Sequence, residues 1–252
     1  MALIEIKNVS KRFGPLTVLD HVSLAIPAGQ SVVIIGASGT GKSVLLKHIV
    51  GLLKPDSGEI WFDGKRIDEL SQAELMKART RIGFLFQMSA LFDSLTVGEN
   101  IAFPMREHTK KTNDEIKVAV AEKLKMVELP GIEKKMPAEL SGGMRKRVAL
   151  ARAIALDPQV ILYDEPTTGL DPIRSDVINQ LIIKLRKEMN TTSITVTHDM
   201  QSAFKIADRI VMLADGHIVF DGTPAEMHTS NTPIVRQFLS GEAGDRHLQE
   251  LK

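Results

Sequence analysis

Gly36-Ala37-Ser38-Gly39-Thr40-Gly41-Lys42-Ser43 follows directly on Ser31-Val32-Val33-Ile34-Ile35, and this stretch decides the fold. A short β-branched apolar run reads as a strand buried on both faces, and residues 42–53 after it read as a helix. The octet therefore sits between a strand and a helix, the context that gives the pattern G-x-x-x-x-G-K-[ST] its meaning. Its glycines let backbone N–H groups curl round phosphate oxygens, and the helix N-terminus adds positive potential. Lys42 is placed to reach the terminal phosphates of a nucleotide, and Ser43 offers a hydroxyl to Mg²⁺. A glycine turn without a ligand is the plainer alternative, and the flanking strand and helix weigh against it.

Upstream, residues 2–27 alternate apolar and polar positions around Gly14-Pro15, which predicts antiparallel strands at a sheet edge. Downstream, Asp56-Ser57-Gly58 and Asp63-Gly64 bracket Glu59 to Phe62, a hairpin signal beside the phosphate loop. Ile82 to Phe86 reads as another buried strand. From about Thr96 to Leu140 the spacing becomes helical, with Val118, Val120, Leu124 and Val127 assigned to one face. Strands and helices then alternate again: Val160 to Tyr163, a helix over 173–187, Ser193 to Thr197, a short helix, and a hairpin over 209–220. This alternation predicts an α/β fold with a mostly parallel core sheet, an antiparallel β subdomain at its edge and an inserted helical subdomain. The predicted organisation is one domain over 1–240, with 1–87 and 159–240 as core and β subdomain, 88–158 as the insert, and a polar tail from Gly241 to Lys252.

Asp164-Glu165 ends the apolar strand that begins at Val160. Ligands of open α/β sheets bind beyond the carboxyl ends of strands. Successive strand residues point to opposite sides, so the two acids divide the work: Asp164 toward Mg²⁺, Glu165 toward the attacking water. Leu140-Ser141-Gly142-Gly143-Met144 precedes a helical run to Ile154, a second phosphate receptor that makes sense if it covers nucleotide bound by another copy. An ordinary serine N-cap is the competing reading. Gln87 and His198 end strands and reach the same sheet edge as Asp164. Phe13 is a candidate to stack on adenine. Arg145-Lys146-Arg147 reads as a solvated helix face and His108 as part of the insert surface.

These motifs, in this order, resemble the nucleotide-binding subunit of ATP-binding cassette transporters over Leu3 to Phe238. The resemblance implies an Mg²⁺-dependent ATPase working as a head-to-tail homodimer. It assigns ATP contacts to Phe13, to the loop Gly36, Ala37, Ser38, Gly39, Thr40, Gly41, Lys42 and Ser43 with Val44 after it, and to Gln87 and Asp164. From the partner copy it adds Ser141, Gly142, Gly143 and Asp171, the last within the Gly169-Leu170-Asp171-Pro172 loop. Catalytic roles fall on Glu165, His198, Gln87 and Lys42, and Mg²⁺ on Ser43, Gln87 and Asp164. Met144 stands where most of the family has Gln, and Val44 where a second hydroxyl commonly follows; neither change removes Lys42 or the Ser141 donor.

Longer runs narrow the resemblance. Phe86-Gln87-Met88-Ser89-Ala90-Leu91-Phe92, Pro104-Met105-Arg106-Glu107-His108-Thr109, Ser141-Gly142-Gly143-Met144-Arg145-Lys146-Arg147 and Val235-Arg236-Gln237-Phe238-Leu239 are similar to the ATPases of Mla and Mce-type phospholipid transport systems. That similarity implies a peripheral protein on the cytoplasmic face of the inner membrane. Its partners would be an MlaE-like permease seated on the helical insert, an MlaD-like Mce-domain protein reached through the complex, and, as a further candidate, a small regulatory subunit. The rival readings are a polar-solute importer ATPase and a soluble cassette ATPase acting on DNA or ribosomes.

Composition bounds the alternatives. Lys plus Arg number 32 against 31 Asp plus Glu, a formal charge of +1, so no global field draws the chain to nucleic acid. The absence of cysteine excludes disulfides, thiolate zinc sites and a cysteine nucleophile. Met1 to Asn8 lacks the basic start and apolar core of a signal peptide. The longest apolar runs fall far short of the ~20 residues of a membrane span, so in a membrane machine another chain must do the spanning.

Overall fold

The computed structural model describes residues 2–241; apart from Gly241, the polar tail lies outside them. Strands β1 (Ala2–Phe13) and β2 (Leu16–Pro27) form the hairpin foreseen, with Gly14 in the left-handed region at its turn. They do not, however, extend the edge of the parallel sheet. β1 pairs with β4 (Ser57–Phe62), which turns onto β5 (Lys65–Arg66), giving a separate antiparallel sheet of order β2-β1-β4-β5. Alternation explains the difference, because it leaves one whole face apolar and in need of a covering layer. Ile4, Ile6, Leu24 and Ile26 on that face share a core with Val32, Ile34 and with Leu45, Leu46 and Ile49 of helix α1 (Lys42–Ile49). α1 stops short of the predicted Leu53, since Val50 is its C-cap and Gly51 turns left-handed behind it.

The main sheet comprises β3 (Ser31–Ile35), β6 (Ile82–Leu85), β7 (Val160–Asp164), β8 (Thr192–Thr197), β9 (Arg209–Ala214) and β10 (His217–Gly222), in the order β10-β9-β3-β8-β7-β6. All neighbours run parallel except β10 on β9. Every residue of β3, β7 and β8 is buried, as expected of strands covered on both faces. Between β5 and β6 lies α2 (Gln72–Arg79), which the hydrophobic pattern did not predict.

Between β6 and β7 come α3 (Val97–His108), α4 (Asn113–Met126), a 3₁₀ turn at Pro137–Glu139 and α5 (Gly142–Ala153). Val120, Leu124 and Val127 are buried as predicted, but Val118 is 61% exposed. Two residues advance a helix by about 200°, so Val118 and Val120 cannot share a face; Ile116 and Ala119 complete the buried stripe. Behind the main sheet lie α6 (Pro172–Met189) and α7 (Met200–Ile206), followed after β10 by α8 (Pro224–His228) and α9 (Pro233–Ser240). Ile178, Leu181, Ile182 and Leu185 of α6 join Val33, Ile35, Ile161, Tyr163 and the insert's apolar residues in a second core. Among the described residues, no helix is long and apolar enough to cross a membrane.

Candidate active site

Parallel register sets the site. Ile35 is opposite Thr197, and Asp164 is opposite Val196, so the residues following β3, β7 and β8 emerge together at one sheet edge. Gly36 leaves β3 with φ 153°, where an added Cβ would stand 2.2 Å from the Leu213 carbonyl oxygen; only glycine clears that backbone. Gly41 is the left-handed N-cap of α1 and supplies no side-chain cap. The amides of the first turn are therefore left for an anion. Lys42 Nζ donates to the carbonyls of Gly36 and Ala37 at 2.9 and 2.8 Å. Burial lowers its pKa, against the opposing charges of Glu165 and Asp164.

Ser43 Oγ donates to Asp164 Oδ1 at 2.7 Å. Burial raises the Asp164 carboxyl, and this hydrogen bond opposes the shift. A hydroxyl beside a carboxylate is a hard oxygen donor pair of low charge, which suits Mg²⁺ sharing phosphate oxygens; among the described residues, no side-chain contact joins Gln87 to them. The sequence prediction placed Ser43 and Asp164 at one ion, and the structure brings them together across 121 positions of chain.

Glu165 is 8% exposed and adopts φ 48°, a left-handed conformation that costs a residue with a Cβ about 1 kcal/mol or more. Its N–H donates to Val196 O at 3.0 Å, while Oε2 accepts from Thr168 Oγ1 at 3.0 Å and Oε1 lies 2.9 Å from His198 Nδ1. The turn thus lifts the carboxylate out of line with the strand and lays it against the imidazole.

Gln87 is exposed just beyond β6, and its carbonyl accepts a hydrogen bond from Lys146 Nζ. The same ammonium donates to Glu165 O at 3.3 Å. The solvated-face reading of Arg145-Lys146-Arg147 is therefore corrected at its middle member, since Lys146 is 5% exposed. Helical period was the available signal, because Lys146 precedes the buried Ala149 and Leu150 by one turn. Thr168 had no signal in the sequence beyond its place after the carboxylates.

Phe13, 46% exposed at the hairpin tip, stands on the sheet whose Val18 abuts Gly41. Ser38 and Gly39 are exposed, Ala37, Thr40 and Val44 partly so. Ser141 caps α5, accepting from the Met144 N–H at 3.3 Å, and Asp171 caps α6, accepting from the Arg174 N–H at 2.9 Å. Gly142 and Gly143 open α5, and a Cβ on them would meet the Leu170 and Arg174 side chains at 3.9 and 3.7 Å, ordinary contact distances. His108 lines a groove of about 400 Å³ with Phe84, Phe92, Phe103 and Arg152.

The family model for ABC transporters matches residues 19–168. The chain belongs to the ABC transporter family. A probable ribonucleotide transport ATP-binding protein, mkl, from Mycobacterium leprae is 50% identical over 94% of this chain, which spans 69% of that protein. The intermembrane phospholipid transport system ATP-binding protein MlaF of Haemophilus influenzae is 46% identical over 96% of this chain and 91% of its own length. An ATP-binding cassette solved as a dimer in a post-hydrolysis state with ADP and Pi superposes with a TM-score of 0.81 at 38% identity, covering 88% of this chain and 98% of that one. The chain is an ABC ATPase, the ATP-hydrolysing subunit of a membrane transporter.

Proposed function

We propose that this ABC ATPase drives phospholipid movement of the Mla and Mce type. The observation that carries the reading is the 46% identity with the MlaF protein across nearly the full length of both chains. It works as a head-to-tail homodimer, peripheral on the cytoplasmic face of the inner membrane, bound to an MlaE-like permease and through it to an MlaD-like lipid carrier. The groove between β6 and α3, lined by Phe84, Phe92 and Phe103, is the seat for a permease helix. Residues 1–87 with 159–240 act as the nucleotide-holding body and residues 88–158 as the part that meets the membrane partner.

In the closed dimer, the free amides at the start of α1 and Lys42 hold the phosphates, and Phe13 stacks on the base. Ser43, Asp164 and Gln87 would hold Mg²⁺, which would supply charge neutralisation at the phosphate oxygens. Glu165, turned out by its left-handed backbone, accepts a hydrogen bond from the attacking water. His198 donates from Nδ1 to Glu165, which fixes the ring beside the γ-phosphate, and Nε2 stabilises that phosphate when it also carries a proton. Ser141, Gly142 and Gly143 of the partner copy close the site from the other side, with Asp171 at the seam. ATP contacts formed only across that seam supply the free energy that biases the permease.

The name of the mycobacterial relatives favours a second reading, ribonucleotide transport. The test is to express tagged Glu165→Gln protein in its own host, extract membranes with ATP present, and identify what co-purifies by mass spectrometry. A permease with an Mce-domain protein and phospholipid is the expected result. A permease with a polar-solute receptor would withdraw the lipid reading, and no membrane partner would favour a soluble cassette ATPase.

A further inference from the structure

Lys146 has no counterpart in the chemistry described so far, and it is an unusual group to bury. Ammonium side chains are rarely buried without a carboxylate partner, yet the hydrogen bonds of Lys146 go to two backbone carbonyls, those of Gln87 and Glu165. Those carbonyls belong to different parts of the molecule. Gln87 lies on the segment leading into the helical insert, whereas Glu165 lies in the turn after β7.

The first connection is reinforced and the second is not. Six residues beyond Lys146 on α5, Arg152 donates to Ala90 O at 2.8 Å and Ser89 O at 3.0 Å. Ser89 and Ala90 are consecutive left-handed residues, φ 64° and 47°. The segment from Gln87 to Ala90 is thus gripped by α5 at both ends and must travel with it. Lys146 to Glu165 O is the bond that spans from this unit to the carboxylate turn. At that turn, Glu165 holds a left-handed conformation whose backbone partners are Val196 O, the Thr168 N–H at 3.3 Å, and Lys146.

We propose that Lys146 is a positioning residue for hydrolysis: it fixes the Glu165 backbone, and so the aim of its carboxylate, according to where α5 and the Gln87 segment stand. Displacement of the insert by a partner then reaches the water-orienting group through one ammonium rather than through the side chain of Gln87 alone. The proposal rests on Glu165 orienting the attacking water.

The full-length chain is assayed as the parent and as Lys146→Met, Lys146→Arg and Glu165→Gln, measuring kcat, KM for ATP and equilibrium ATP affinity. Methionine keeps the stem's volume and removes both donors. Small misplacement of a reacting group lowers turnover by about tenfold to a hundredfold, so Lys146→Met is expected to lose that much in kcat while ATP affinity stays within about threefold. Lys146→Arg, which retains donors for both carbonyls, is expected to restore most of the rate. Turnover of Lys146→Met within twofold of the parent overturns the proposal. So does a parallel fall in kcat and affinity that arginine does not rescue, which marks a packing role. If Lys146→Met does not fold, Lys146→Leu, which also lacks a donor, is judged by the same criteria. Glu165→Gln turning over at the parental rate removes the reading on which the proposal stands, and is told apart because that variant leaves Lys146 intact.

Discussion

At the level of single residues, the site combines groups the sequence announces with groups it conceals. The phosphate loop is legible because its pattern is local: Gly36, Gly41, Lys42 and Ser43 declare their task within one octet. Asp164 and Glu165 are legible as a pair at a strand end, but their different surroundings are not. The left-handed turn at Glu165 and its contact with His198 come from register between β7 and β8, which no short motif encodes. Lys146 was concealed by its neighbours, since two flanking arginines made the run look solvated. Glu165→Gln should lower steady-state turnover by about 10² to 10⁴-fold, the usual worth of a general base, without weakening ATP binding; turnover near the parental rate would remove Glu165 from that role. Gly36→Ala should abolish ATP binding measured by calorimetry, because a methyl group at that position would meet the Leu213 carbonyl at 2.2 Å.

The helices repeat one device at their starts. α3, α4 and α8 each open with a Thr whose hydroxyl accepts from a Glu N–H three residues on, while that Glu accepts from the Thr N–H. Thr112→Ala should lower stability to denaturant by about 1 kcal/mol, the ordinary cost of a lost N-cap, and an unchanged urea midpoint would contradict it. Glu99, Glu115 and Glu226 are all held below their usual value of 4.5 by bonds from the Thr backbone first and its hydroxyl second. A depressed folded-state pKa means stability present above 4.5 and lost as pH falls through the folded value. The melting temperature should therefore drop on acidification below pH 4.5, and the combined Gln variants of these acids should show a shallower drop. These Thr-x-x-Glu signatures can be read in the sequence, as can the Ser71-x-x-Glu74 box that opens α2; what α2 lacks is a hydrophobic stripe, since Leu75 is its single buried residue. Val118 is apolar at a helical angle that faces solvent, so residue type alone assigns it to the wrong face.

For the whole molecule, the alternation of strands and helices reveals the parallel sheet and an antiparallel β subdomain, but not that β1 would take β4 as its second partner in a sheet of order β2-β1-β4-β5. Partner choice between strands depends on which apolar faces meet, and that is settled only when the cores form. Assembly gives the matching test at this scale. Glu165→Gln with ATP should run as a dimer in sedimentation, while the Glu165→Gln/Ser141→Arg double variant should stay monomeric yet still bind ATP; a dimer from the double variant would contradict head-to-tail closure over Ser141. Finally, β6 and β7 lie side by side, with Leu85 opposite Tyr163, although the whole insert separates them along the chain. The chain leaves the sheet at the C-terminal end of β6 and, because the two strands are parallel, returns at the opposite end, where Val160 pairs with Ile82. An excursion that starts and ends on neighbouring strands can change length or shape without re-registering either, because backbone hydrogen bonds inside the sheet, and not the excursion, fix how β6 and β7 pair.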